Sequence, residues 1–273
     1  MGNNVHDSPL GKVSDYVAEY DPELLHPIAR QGNRAGIGID IRLPFYGVDI
    51  WNAYELSWLN QKGKPQVAVA RFSIPCNSPN IIESKSFKLY LNSFNQTSFE
   101  NARLLKEVLK KDLSVAAGAT VEVELLTHEM LTNEGLSQPK GFCIDELDVE
   151  ISCYEVNTEL LMAGGGVIEE ALYSRLLKSN CPVTGQPDWA TLMIQYKGAP
   201  LCHESLLKYI VSFRQHSDFH EHCIERIFVD LQAITQAQSL VVEGRYVRRG
   251  GLDINPCRSL ESKTFFDRRL SVQ

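Results

Sequence analysis

Seven cysteines are scattered through 273 residues without a single C-x-x-C pair. This leaves neither a ribbon-type zinc spacing nor an even disulfide framework, and it suits a reducing compartment. No apolar run approaches the roughly 20 residues of a membrane-spanning helix. The opening stretch MGNNVHDSPLGKV has no apolar core of the kind a secretion signal needs, and His6 breaks the acylation pattern that Gly2 could begin. A cytoplasmic protein without membrane contact is expected. Positive charge is also short, with 27 Lys and Arg against 34 Asp and Glu and a net charge of -7. That balance argues against gripping a nucleic-acid backbone and favours a small-molecule substrate. The segment GIGIDI, residues 36–41, lacks the third glycine of a dinucleotide fingerprint, so any nucleotide cofactor must be bound by something other than a Rossmann unit.

What is present falls into two halves with the same order of elements. YELSWLNQKGKPQVAVARFSIP reads as a β-hairpin turning at Lys62, Gly63 and Lys64, and Phe87, Tyr90, Leu91 and Phe94 then recur on one helical face. A second helix carries Leu104, Leu105, Val108 and Leu109, and TVEVELL alternates as a half-buried strand. In the second half WATLMIQYKGAP reads as a strand. Leu206, Ile210 and Phe213 mark one helix, Ile224, Ile227, Phe228 and Leu231 the next, and SLVVEGRYVRRGG is the closing strand. EEALYSRLLKS, before Cys181, reads as an amphipathic helix that opens on Glu169 and Glu170, whose charges disfavour a phosphate at Gly164, Gly165 and Gly166. The glycines are therefore expected to form a flexible connector. SFNQTSFEN at 93–101 aligns with SFRQHSDFHEH at 212–222, which points to an internal duplication.

Two stretches carry candidate chemistry. In KSNCPVTGQPDW, Cys181 sits in a turn-rich setting that can leave a thiol partly exposed. Asp188 follows beside Trp189, against whose ring a carboxyl could hold its proton. A thiolate with a proton donor is the equipment for covalent addition to an electrophilic carbon, although a lone cysteine also serves as a small buried hydrophobe. In HSDFHEHC, His216 and His220 stand four apart and would share a helix face, which raises zinc; a third ligand is missing, since His222 points elsewhere by the helical period, and no metal is expected. A carboxylate such as Glu221 instead suits a purine-like base, whose ring N–H and amino groups are donors. Arg245, Arg248, Arg249 and Gly250 make a compact cationic strand end; a solvated basic edge is the other reading for Arg245.

SNCPVTGQPDW, ESKSFKLYLNSFNQT, HEHCIERIF, LPFYGVDIWNAYELSWLN and RRGGLDINP together resemble the NADPH-dependent 7-cyano-7-deazaguanine reductases, the nitrile reductases of queuosine biosynthesis, in their two-module form. The resemblance implies an α+β protein of tandem tunnelling-fold modules, each antiparallel ββααββ. The expected layout is an N-terminal extension at 1–45, a cofactor-motif module at 46–135, a connector at 136–166 and a catalytic module at 167–273. It implies that Cys181 adds to the nitrile carbon as a covalent thioimidate, that Asp188 donates the proton, and that two hydrides from NADPH complete the amine. It assigns Ile82, Glu83, Ser84, His220 and Glu221 to the deazapurine substrate, and Ser84, Lys85, Arg249 and Gly250 to NADPH. For Glu83 a plain helix N-terminus is the other reading. Unpaired sheet edges imply a homodimer. A zinc-dependent pterin-type cyclohydrolase on the related fold and a non-catalytic purine-binding module are the alternatives.

Overall fold

The computed structural model describes residues 16–40, 42–267 and 269–273. Residues 1–15 of the expected extension, and Ile41 of GIGIDI, lie outside the described residues. The chain forms two compact units, each assembled from separated stretches. Unit 1 takes the described residues up to Gly36, then Asp49–Gly135 and Arg248–Ile254; unit 2 takes Ile37–Val48, Leu136–Val247 and Asn255–Gln273.

Unit 1 contains β1 (Pro27–Ala29), α1 (Gln31–Ala35), most of β2 (Tyr46–Leu59), β3 (Pro65–Pro75), β4 (Asn80–Ile82), α2 (Ser84–Asn92), α3 (Ala102–Ala117), β5 (Glu122–Leu126) and α4 (His128–Glu134). Its sheet runs β5-β3-β2. The expected hairpin is there: Asn60 N–H donates to the Lys64 carbonyl at 3.0 Å, and Gly63 supplies the positive φ of 74° that the tight turn requires. Phe87, Tyr90 and Leu91 turn inward from α2, and Phe94 follows just past its end. They join Trp51, Phe72, Leu105, Leu109 and Leu113 in one core. Asn101 caps α3 through the Leu104 N–H.

Unit 2 contains β6 (Phe142–Cys143), β7 (Ile168–Asn180), β8 (Pro187–Gly198), α5 (His203–Ser212), α6 (His220–Thr235), β9 (Ser239–Tyr246) and the later part of β10 (Leu252–Ser259). Its strands run β10-β9-β8-β7-β6, antiparallel except for the short β6. Helix α6 packs on β9 and α5 on β7. The protein is thus mixed α+β, and no helix among the described residues is long and apolar enough to cross a membrane.

One expectation is overturned here. EEALYSRLLKS is not a helix; it lies in β7, paired with β8 on either side of Arg175 and Leu176. Leu172 and Ser174 are buried on the usual period of two, the register shifts between Ser174 and Leu177, and the alternation resumes at Leu177 and Ser179. Such a bulge inserts residues into the period of two, and the resulting spacing imitates a helical stripe.

The duplication extends beyond the helices. In unit 1 Asp21 caps a single 3-10 turn, Pro22–Leu24, and this segment is fastened to α2 by two serines: Asp21 N–H donates to Ser93 Oγ at 3.2 Å and His26 N–H to Ser86 Oγ at 3.0 Å. In unit 2 Asn157 caps Thr158–Leu160, and Asn157 N–H donates to Ser212 Oγ at 3.4 Å and Met162 N–H to Ser205 Oγ at 3.0 Å. Tyr90 donates to Asp112 on α3, and Tyr209 to Asp230 on α6, in the same relation. Each unit therefore wears an equivalent strap. The strap of unit 2 lies within the stretch read as a flexible connector, where Gly164 is itself tied by its N–H to the Pro200 carbonyl at 2.8 Å.

Candidate active site

Cys181 directly follows β7, in the turn leading to β8. Its N–H donates to the Gln186 carbonyl at 2.9 Å and its carbonyl accepts from Gly185 N–H at 3.0 Å, so the turn is closed from both sides. The thiol residue is only 8% exposed, not the half-open position that the turn-rich composition suggests. Asn180, one residue before, pairs with the strip at 216–218: its N–H donates to the His216 carbonyl at 2.8 Å and its carbonyl accepts from Asp218 N–H at 3.1 Å. The backbone thereby fastens the HSDFHEHC segment alongside the cysteine turn.

Asp188 is buried near the start of β8, while Trp189 is 39% exposed with Arg214 over its ring. Neighbours on a strand point to opposite faces, so the tryptophan is not what shields the carboxyl. A partner that faces Asp188 is His220, at the first position of α6, with Nε2 at 3.4 Å from Asp188 Oδ2. Register explains the meeting: Ser179 pairs with Asp188 and Ala190 with Tyr246, which puts Asp188 and Tyr246 on one face of the sheet. The Tyr246 ring lies parallel to the His220 imidazole, with centroids 3.7 Å apart. Glu221 is buried beside them, and both carboxyl groups, Glu221 and Asp188, help to raise the Tyr246 phenol, after burial itself. Sequence reasoning missed Tyr246 because the three arginines of RYVRR drew attention away. The usable signal was alternation, which places Gly244 and Tyr246 on one face, with Gly244 small enough for Ile224 of α6 to approach.

His216 and His220 do not share a helix face. His216 has extended backbone at the end of the 3-10 turn Phe213–Gln215, and α6 begins only at His220. No group of three or more potential metal ligands occurs among the described residues. The cluster is instead organised by Asp218, with His222 Nδ1 at 3.2 Å and His216 Nε2 at 3.7 Å, the latter beyond hydrogen-bond reach. Burial pushes the Asp218 carboxyl up, but the two histidines and the Phe219 N–H more than offset this and hold it well below the usual carboxylate range. A lowered folded-state value stabilises the protein above the unfolded pKa of about 3.9, and that contribution is lost as pH falls towards the folded value. Asp218→Asn should therefore lose most relative to wild type at pH 5.5, and the gap should be smaller, though still present, at pH 3, because it closes only as pH falls towards the folded value. Urea midpoints at the two pH values measure this, and an equal gap at both would mean that Asp218 is not held low.

In unit 1, Glu83 is fully buried and caps α2: Oε1 accepts from Lys85 N–H at 2.6 Å and Oε2 from Ser86 N–H at 2.8 Å. Burial pushes its carboxyl up, opposed by these two N–H groups and the charges of Lys88 and His26. The capping role is thus real, and one lone pair on each oxygen is left for a ligand. Ile82 has its side chain in the core, while Ser84 and Lys85 occupy the first turn of α2, half-buried. Arg249 opens a tight turn in which its N–H donates to the Leu252 carbonyl at 2.9 Å, with Gly250 and Gly251 both at positive φ. Arg245 belongs to neither of its expected settings. It is fully buried in unit 2, with Nη2 at 2.7 Å from Glu243 and Nη1 at 2.8 Å from Asp267. These two carboxylates neutralise it, so it is neither a cofactor cation nor a solvated edge.

A cavity of about 520 Å³ in unit 1 is lined by Glu55, Lys88, Asn92, Asn95, Gly250 and Gly251, among others. A Cβ on Gly251 would stand 2.4 Å from Glu55 Cδ, and one on Gly250 would touch the Lys88 side chain. The two glycines keep the floor open, and the lysine with carboxamides and a carboxylate suits a ligand bearing phosphates and ribose hydroxyls. The residues present therefore fit a nucleotide cofactor.

Two family models match the chain: "Nitrile reductase, 7-cyano-7-deazaguanine-reductase N-term" over residues 16–125 and "QueF-like protein" over residues 187–264. The NADPH-dependent 7-cyano-7-deazaguanine reductase of Bordetella avium is 59% identical over 254 residues, 93% of each chain. The chain belongs to the 7-cyano-7-deazaguanine reductase family. The reductase of Bordetella pertussis, of the same description, is 55% identical over 257 residues, 94% of each chain. The N-terminal match of this reductase family spans the first strap and the capped helix α2, and the second takes in Asp188, His220, Glu221 and Tyr246.

Proposed function

We infer that the protein reduces the nitrile of 7-cyano-7-deazaguanine to the primary amine of 7-aminomethyl-7-deazaguanine, with NADPH, in queuosine biosynthesis. The family membership carries the reaction. The observation that best supports its chemistry is the buried Asp188 and His220 pair in the unit that also holds Cys181. We assign catalysis to Cys181 and Asp188. The sulfur, as thiolate, bonds to the nitrile carbon, one C–N π bond opens, and the nitrogen takes the proton of Asp188, giving a thioimidate more electrophilic than the nitrile; after the first hydride has reached that carbon the C–S bond breaks, the sulfur leaves as thiolate, and the imine so formed takes the second hydride. NADPH, when bound, supplies the hydride, and two of them with two protons balance nitrile to amine. Glu221 and His220 read the base, a buried carboxylate accepting from its ring N–H and amino groups, with Ile82, Glu83 and Ser84 as further substrate contacts. Ser84, Lys85, Arg249 and Gly250 hold the cofactor, and Lys88 joins them from the cavity wall.

Tunnelling-fold modules are assigned at 46–135, mostly in unit 1, and at 167–273, in unit 2 save Arg248–Ile254, supported by the hairpin, helix pair and closing strand common to both units. A cytoplasmic location, supported by seven cysteines that are all free thiols, and a homodimer complete the reading. The test is incubation of the protein with the nitrile base and NADPH. Mass analysis should find a product heavier than the base by four hydrogens, with two NADPH consumed per product. Arg249→Ala should raise the Michaelis constant for NADPH roughly tenfold or more, the loss of a charge-assisted bond of about 1.5–3 kcal/mol, and that for NADH much less. Absence of product with the wild-type protein sinks the assignment, and equal effects on the two cofactors remove Arg249 from the ribose phosphate.

A further inference from the structure

We propose that Tyr246 is a positioning residue that fixes the plane of the His220 imidazole and so keeps its Nε2 on Asp188; this rests on the site assigned above. Three observations carry it. First, the His220 ring has few other constraints: Nε2 lies 3.4 Å from Asp188 Oδ2, longer than a good hydrogen bond, and Nδ1 is buried with no hydrogen-bond partner among the described residues. Second, the Tyr246 ring covers the imidazole face to face, 3.7 Å between centroids and 3° between planes, and Tyr246 itself is fully buried. A rotation of His220 about its outer side-chain torsion would drive the imidazole edge into this ring, whereas the present plane keeps full contact. Third, Tyr246 is anchored by the sheet and not by the site. It closes β9, its N–H donates to Asn255 Oδ1 at 3.2 Å, and it pairs with Ala190, two residues beyond Asp188. The same sheet register therefore sets both Asp188 and the platform that aims His220 at it. Burial, with Cys223, Asp188 and Glu221 facing the phenol, keeps Tyr246 neutral at any working pH, so the platform carries no charge of its own.

The shape and polarisability of the ring, not the hydroxyl, do the positioning. Tyr246→Phe should keep both the stack and the turnover. Tyr246→Leu should lower kcat about tenfold or more and leave the Michaelis constant for NADPH within twofold. The stack also has a signature independent of catalysis: ring-carbon protons of His220 lie over an aromatic face, and their NMR resonances should be shifted upfield in wild type and in Tyr246→Phe and released in Tyr246→Leu. The resonances are assigned by their loss in His220→Gln. Should Tyr246→Leu fail to fold, Tyr246→Met fills the volume without an aromatic face and takes its place. Released His220 resonances with unchanged kcat would overturn the proposal while leaving the site standing. A Phe variant as slow as the Leu variant would also overturn it, by moving the role to the hydroxyl. Full activity of Cys181→Ala or Asp188→Asn would fell the site assignment itself, whatever the Tyr246 variants do.

Discussion

Cys181→Ala is expected to abolish nitrile reduction in a protein that still folds. The turn around this residue is held by its backbone, through the Gln186 carbonyl and the Gly185 N–H, and neither bond involves the side chain. Removing one small, nearly buried sulfur should thus change stability little. Chemistry is another matter, because a nitrile is a poor hydride acceptor until a nucleophile has added to its carbon. Wild-type protein given 7-cyano-7-deazaguanine without NADPH should stop at the adduct. Its intact mass should rise by one base, and the increment should map to the peptide containing Cys181. Asp188→Asn keeps the volume but cannot donate the same proton, and should slow turnover roughly 100- to 10,000-fold. Wild-type reduction by Cys181→Ala would show that no bond to this sulfur is needed.

Glu225→Leu should be the most damaging single change to stability considered in unit 2. Glu225 on α6 and Arg258 on β10 are both fully buried, with Arg258 Nη2 at 2.8 Å and Nε at 3.2 Å from the same Glu225 Oε1, and the guanidinium lies 5.4 Å from the centre of the Phe45 ring. Deleting the carboxylate takes from a fully buried cation the acceptor that its Nη2 and Nε share, which costs about 3–5 kcal/mol. Against a typical total of about 5–15 kcal/mol that is a large fraction, and the urea midpoint should fall sharply with little change in slope. The exposed pair Arg103 and Glu107 on α3 is the control, where Arg103→Ala should cost no more than about 0.5 kcal/mol. A Glu225→Leu midpoint no lower than the Arg103→Ala midpoint would show that the buried pair is not needed. Pairing Glu225→Leu with Arg258→Met should recover much of the loss.

Much of this was legible in the residues. The helix with Phe87, Tyr90 and Leu91 repeats on 3.6 over about one turn, continued by Phe94 just past its end, and that with Ile224, Ile227, Phe228 and Leu231 over about two; such stripes survive folding because the same face is buried. β7 was not legible, since its bulge disturbs the very period that identifies a strand. The straps were invisible for a different reason: each is held by backbone N–H groups reaching serine hydroxyls 43–72 residues away, and no local pattern encodes such a contact. At the proposed site, Cys181, Asp188, His220 and Glu221 were expected from motif and family resemblance together. Their setting could not be, because Asp188 faces His220 across the register and not the adjacent Trp189. The fully neutralised Arg245 teaches the same lesson, since its two carboxylates lie on different segments and one of them, Asp267, is 22 residues away.

The discontinuity of unit 1 has a consequence for how the chain is made. Asn52 and Tyr54 on β2 both donate to Asp253, about 200 residues later, and Tyr54 N–H is satisfied by the Gly251 carbonyl. Leu252 and Ile254 complete the same core. At a synthesis rate of roughly 5–20 residues per second, β2 waits on the order of 10–40 s on the ribosome for these partners. For that interval the nascent chain carries an unpaired strand edge and an open apolar face, the two features that invite capture by chaperones or by neighbouring chains.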